Sequence, residues 1–422
     1  MKRATLFCLL VVLPSTPAWA AAAAWRVDDY GAIADGKAKT TASIQRTIDA
    51  CAAGGGGEVA FGPGTYLTGS IVLKSGVTLH VPGGTTIQGS PDISDYPLGT
   101  ARWEGMEKPA YQALIHARQA AHLGIIGEGT IQGDPGLGRL RDPRAPALIE
   151  TIECQNLRVE GLLLRSTRIW TLHPTYCDDV VVRAVRFETE GPNSDGIDID
   201  SCRRVTVDRC TFATGDDNIA IKSGKGQEGV RVARPSQDIT ITRCTFTKGY
   251  VAIALGSELS GGIERVRVSR CVFGKSRAAF QFKSRPGRAG YVRDVVIEDI
   301  DVGPAPLLEI TNNYAYNPDA QGVPGVAGLT EFRNITIRNA RVQATKLVTV
   351  EGTVENPVRD LTIEQVTGTC TEAWQLKNAR GVILRDIHLT GLPPPQFMLE
   401  NVQGSGFGDV PAGEPDNPLA RL

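Results

Sequence analysis

Leu157-Arg158-Val159-Glu160-Gly161-Leu162-Leu163-Leu164 decides the fold. Apolar residues hold its first, third, sixth and eighth places. The period of two on either side of the Glu160-Gly161 step reads as two short strands joined by a bend. The same octet returns at Val180–Phe187, Val205–Phe212, Ile239–Phe246, Val266–Phe273, Val295–Val302 and Ile335–Val342. It ends at Leu361–Gly368, where the last apolar place is lost, and Val382–Leu389. The intervals are 23, 25, 34, 27, 29, 40, 26 and 21 residues. A second apolar strand follows most octets, as at Gly196–Asp200, Asn218–Lys222, Ala252–Leu255 and Ala279–Lys283. A unit of this length with two or three strands cannot bury its inner face alone, and stacking does that. The pattern predicts an all-β solenoid, a parallel β-helix of about ten coils. The long intervals are coils with loop insertions. The pattern of leucine-rich repeats is absent, and a propeller blade needs a longer period.

Working outward, the place before the octet is often Asn or Asp: Asn156, Asp179, Asp238, Asp294, Asn334 and Asp360. These types tolerate left-handed backbone, which suits a tight turn repeated on every coil. Cys154, Cys177 and Cys202 each precede their octet by three residues, and Cys210, Cys244 and Cys271 take its third apolar place. Each set should form a ladder at about 4.8 Å per step, slightly too wide for unstrained disulfides. Stacked free thiols filling the core are favoured, with some pairing left open. Thr41–Ala53 is amphipathic, with Ile44, Ile48 and Cys51 on one face and Gly54–Gly57 as its stop. It reads as a helix capping the open N-terminal end of the solenoid.

The 422 residues would suit two or three ordinary domains, but the repeat makes 21–403 one catalytic solenoid. Residues 404–422 read as a flexible Gly/Pro-rich tail. Lys2 and Arg3, the apolar run Ala4–Leu13 and Ala18-Trp19-Ala20 make 1–20 a secretory signal peptide, too short to span a membrane. A secreted or periplasmic protein is expected, monomeric and without a membrane partner. Lys and Arg total 45 against 46 Asp and Glu, a net −1. No basic excess argues for nucleic acid.

Acidic residues concentrate in Asn193-Ser194-Asp195-Gly196-Ile197-Asp198-Ile199-Asp200 and Gly215-Asp216-Asp217-Asn218-Ile219-Ala220-Ile221-Lys222. Aligning the isoleucines sets Asp195 beside Asp217, one coil apart, with Asp216 next to them. Like charges on one sheet face are unfavourable, so a fold that keeps them is using them. Crowding raises at least one carboxyl, which supplies a neutral acid beside an ionised base, the pair that glycoside cleavage needs. Calcium binding or solvated turn acids are the alternatives from the residues alone. Lys222 and Lys283 align with each other and with Asp200. Acids beside lysines suit an anionic sugar, and salt bridges between coils would look the same.

Further motifs carry a resemblance. Val27-Asp28-Asp29-Tyr30-Gly31-Ala32 through Gly62-Pro63-Gly64-Thr65-Tyr66, then Trp170-Thr171-Leu172-His173-Pro174 with Cys177, Asn193-Ser194-Asp195 and Gly215-Asp216-Asp217 follow one another in order. The chain resembles the polygalacturonase-type glycoside hydrolases, the pectin-degrading family twenty-eight. Gly256-Ser257-Glu258-Leu259-Ser260-Gly261-Gly262 is similar to its bacterial branch. The resemblance implies a right-handed β-helix and inverting hydrolysis by single displacement. Asp216 would be the general acid, with Asp195 and Asp217 activating water. Substrate-binding roles are expected for Lys283, Gln281, Tyr250, Lys222, Asn193 and Asp198. No metal and no cofactor is expected, and a pectic poly- or oligosaccharide is the expected partner.

Two departures stand out. The family's Gly-His-Gly reads Gly249-Tyr250-Val251, and its Arg-Ile-Lys reads Gln281-Phe282-Lys283. A neutral amide cannot replace a guanidinium fork. The substrate could therefore be plain polygalacturonate, or rhamnogalacturonan or a pectic side chain attacked from its end. Arg139–Ala147 and Tyr314–Leu329 are the insertions that would wall off the cleft in an exo-acting enzyme. A non-catalytic glycan-binding β-helix and a calcium-dependent lyase complete the alternatives.

Overall fold

The computed structural model describes residues 25–138, 140–316, 321–392 and 394–408. The expected signal peptide lies outside them, as does 409–422 of the expected tail. The chain winds as a right-handed parallel β-helix whose strands pair only with their counterparts one coil away. One ladder runs from Ile71–Val72 through Ile115–Arg118, Ile149–Ile152, Leu172–Thr175, Ile197–Asp200, Ile219–Lys222, Val251–Gly256 and Ala278–Lys283 to Phe397–Ser405. It begins before the first octet, because the N-terminal coils keep the winding without the full apolar pattern.

The octets fall where the period placed them. Leu157, Val159, Leu162 and Leu164 are all buried, on Gln155–Glu160 and Leu163–Arg165. The eighth place stacks Phe187, Phe212, Phe246 and Phe273 with centroids 4.7, 5.1 and 4.8 Å apart and rings within 11° of parallel. That spacing is the rung repeat itself, so identical residues on successive coils must stack. Asn156, Asp179, Asp238, Asp294, Asn334 and Asp360 all have φ between 52° and 59°. The eight described cysteines are buried and free. Thr41–Ala53 is the capping helix, with Ile44, Ile48 and Cys51 fully buried.

Two features differ from expectation. The last rung runs on to Ser405, and Phe407 is buried with its ring 5.3 Å from Phe397. The ordered solenoid therefore passes the 404 boundary, because composition hid one more apolar rung. The only antiparallel pair of strands among the described residues is a hairpin, Leu98–Trp103 with Met106–Tyr111. The octet pattern carries no trace of it. No described helix is long and apolar enough to cross a membrane.

Candidate active site

Side chains alternate along each rung, so one residue per rung on the long ladder points outward in register. His116, Glu150, His173, Asp198, Ala220, Ala254, Gln281 and Glu309 form that column. Toward the C-terminal coils it floors a cleft of about 980 Å³. Asp195, Asp216, Asp217, Asn193, Lys222, Tyr250, Gln281 and Lys283, all expected from the sequence, line that cleft.

The three aspartates meet because two loops pack without side chains between them. A Cβ on Gly215 would stand 2.2 Å from the Gly191 nitrogen, so only glycine lets the 215–217 loop close on the 191–195 loop. Asn218, which follows directly, fastens that loop to the next coil, its Nδ2 donating to Thr214 Oγ1 at 2.6 Å and to the Lys248 carbonyl at 2.9 Å. A Cβ on Gly249 would lie 2.5 Å from the same amide, which explains the glycine before Tyr250. Asp216 Oδ2 accepts from the Asn193 N–H at 2.7 Å, and Oδ1 from the Asp217 N–H at 3.1 Å. Asp195 and Asp217 are buried, and each keeps one oxygen, Oδ1, with no protein partner. Asp216 is less buried than either.

Burial pushes the Asp216 carboxyl up from its ordinary range, and the charge of Asp217 adds to the push. Burial also raises Asp195 strongly, helped by Asp198 and Asp216. The cluster therefore keeps protons that ordinary aspartates would lose, and gives them up as a linked set. Such a site can hold a neutral acid and a carboxylate within one cleft.

Asp198 departs from its expected role. It is fully buried, ion-pairs Lys222 at 3.4 Å, and does not reach the cleft wall. Burial raises it to about 7 despite that lysine. It sits on the outward column, but Lys222 and the rungs beside it cover it. Both lysines are paired: Lys222 with Asp198 and, at 3.5 Å, with Glu258, and Lys283 with Asp217 at 2.8 Å. The acid–lysine strip is thus both a cleft lining and a set of salt bridges between coils. Glu258, quoted only as part of a motif, is a cleft carboxylate that burial would raise, yet Lys222 and Arg288 hold it at about 2.

The N-terminal end of the column is covered. His116, Glu150 and His173 are 7%, 1% and 0% exposed. The hairpin lies over them, fastened by Arg102, which donates to Asp200 Oδ1 at 3.1 Å, and by Trp103, 4.5 Å from the Trp170 ring. Arg144, from the first insertion, donates to Glu150 Oε1 at 2.7 Å. Burial would raise Glu150, but Arg144 and His173 hold it low. The wall continues as Arg141, whose Nη2 donates to Glu104 at 2.8 Å and to the Tyr316 hydroxyl at 2.7 Å. This one guanidinium joins the hairpin tip to both expected insertions. Arg141 and Arg144 fall in an insertion that the sequence singled out only as a segment, and Arg102, Trp103, Arg277 and Glu309 lie outside the octets and motifs. Among the described residues no group of three or more His, Cys, Asp or Glu is arranged to hold a metal ion.

A carboxylate-rich groove along a parallel β-helix, walled at one end and lined by aromatic rings, is the form of a carbohydrate-active enzyme. Residues 51–406 match the model of glycosyl hydrolases family 28. The chain belongs to that family and is a glycoside hydrolase. A probable polygalacturonase of Vitis vinifera is 29% identical over 363 residues, 80% of this chain and 73% of its own. The exo-poly-α-D-galacturonosidase of Dickeya chrysanthemi is 25% identical over 393 residues, and the match spans 80% of this chain and 64% of that one. Among solved structures, the hyperthermoactive exopolygalacturonase of Thermotoga maritima has a TM-score of 0.77 at 25% identity, covering 87% of this chain and 91% of that one. Relatives from plants and bacteria both appear, so the likeness to a bacterial branch is not singled out.

Proposed function

We propose that the chain is an exported, exo-acting hydrolase of galacturonate-containing pectic chains that inverts the anomeric centre. The observation that carries this reading is the covered half of the floor column. His116, Glu150 and His173 lie under the hairpin, while Gln281 and Glu309 face the open cleft. A sugar chain can then enter from one end only, and its terminus abuts the wall at Trp103, Glu104 and Arg141. The names of the Dickeya and Thermotoga relatives support an end-acting mode.

In this reading Asp216, the least buried of the three aspartates, gives its proton to the leaving glycosidic oxygen. A water held by Asp195 and Asp217 attacks the opposite face of the sugar, and its proton passes to that pair. Preorganised carboxylates and paired lysines supply the field for the oxocarbenium-like transition state. Residues 1–20 direct export, and the enzyme works as a monomer.

The test is the first product from a polygalacturonate oligomer, read by chromatography and by proton NMR. Mono- or disaccharide appearing from the earliest times, with inverted anomeric configuration, is expected. An early ladder of mid-length oligomers would overturn the exo mode, and a retained anomer would overturn single displacement.

A further inference from the structure

A cleft that accepts an anionic chain needs a cation whose charged head remains open to it. Lys222 and Lys283 are only 8% exposed at the side chain and are paired with carboxylates. Arg141 is committed to Glu104 and Tyr316, and Lys346, bonded to the neutral Gln375 at 3.0 Å, precedes a strand two rungs beyond that of Gln281. Position 281, on the outward column, carries a neutral amide.

Arg277 is different. It lines the cleft with its side chain 43% exposed. One guanidinium nitrogen, Nη1, lies 2.8 Å from Glu309 Oε2, and the guanidinium carbon is 5.6 Å from the centroid of the Tyr250 ring. Gln281 Nε2 donates to that same Glu309 oxygen at 3.0 Å. Glu309 therefore ties the guanidinium to the floor and holds it over Tyr250. The Arg277 N–H bonds the Tyr250 carbonyl at 2.8 Å, and the Tyr250 N–H bonds the Asp216 carbonyl at 2.9 Å. Arg277 thus stands two rungs from Asp216, roughly 10 Å along the stack. Gln281 is 2% exposed, and its Oε1 has no partner. That acceptor is buried at the floor of the cleft.

We propose that Arg277 is the specificity-determining residue that grips the carboxylate of a uronate unit bound over Tyr250, with Gln281 and Glu309 positioning it. This rests on the uronate-chain reading above. The guanidinium absent at 281 is supplied from the loop four residues earlier. It reaches the subsite from the side of the cleft rather than from its floor. The planar fork keeps its other N–H groups for the ligand, and the Tyr250 ring holds the cation in place.

The test compares kcat/KM on galacturonate oligomers with that on their methyl esters, which lack the charge. Arg277→Ala should lower this selectivity ratio by about tenfold or more, the size of a lost charge-assisted hydrogen bond. Removing Arg277 also bares Glu309, which would itself repel a uronate. The double variant Arg277→Ala/Glu309→Gln removes that repulsion and should keep a loss of similar size. An unchanged ratio in Arg277→Ala, or full recovery in the double variant, overturns the inference while leaving the uronate-chain reading intact. A parent enzyme that does not cleave galacturonate oligomers overturns both.

Discussion

Asp216 Oδ2 accepts a 2.7 Å hydrogen bond from the Asn193 N–H, one coil below it. The bond links the 191–195 loop, which carries Asp195, to the 215–217 loop, which carries Asp216 and Asp217. Asn193 adopts φ 60° to make it. The carboxylate geometry is therefore set by backbone contact between adjacent coils, not by side chains that could relax independently.

Asp216→Asn keeps the shape of that side chain and one of its two accepted hydrogen bonds but removes its transferable proton. Reducing-end release from pectic oligomers should fall by about 10²–10⁴-fold, the usual worth of a positioned acid. The melting temperature should stay within a few degrees. Retained turnover would mean that another group donates the proton.

Asp198→Asn tests the electrostatics beneath the site. Burial is the main cause of the raised Asp195 carboxyl, and the charge of Asp198 is the next. Removing that charge lowers Asp195. A base must be ionised to act, so activity rises as pH climbs through its pKa. The acid limb of kcat/KM should therefore move to lower pH in this variant, by only part of the shift because burial remains. A limb that stays or moves up would show that Asp195 is not the group titrating there.

Arg102→Met addresses the wall. Arg102 and Asp200 are 2% and 0% exposed at the side chain, and Asp200 keeps His173, at 4.0 Å, as a further charged partner. His173 and Lys222 still favour the charged carboxylate, so losing its guanidinium should cost about 2–4 kcal/mol in urea unfolding. The hairpin should loosen with it, so mid-length oligomers should enter the early products. Unchanged stability and an unchanged product profile would count against the hairpin as the stopper.

Phe212→Ala removes the second ring of the four-ring stack. It touches Phe187 and Phe246 at 4.7 and 5.1 Å. A loss of about 3–5 kcal/mol is expected from the void it leaves between rungs. Urea denaturation followed by tryptophan fluorescence reads this. A loss below about 1 kcal/mol would mean that the coil collapses around the gap.

The sequence by itself determined the winding and much of the site. Each coil is one period, so residues at equal places in successive periods must become neighbours. That rule set Phe187 on Phe212 and brought Asp195 to Asp217 with no three-dimensional information. It also put the left-handed turns at Asn156 and its counterparts. It could not say which outward residues stay open. Asp198 and Gln281 share one column, yet one is sealed behind Lys222 and the other faces the cleft. His116, Glu150 and His173 look like open floor until the hairpin is laid over them. Segments such as 98–111, 140–147 and 314–316 have no period, and their course is fixed by contacts across many coils, such as Arg102 with Asp200 and Arg141 with Tyr316. Only the tertiary structure decided where the cleft ends, which charges are already neutralised, and that Arg277 stands over Tyr250.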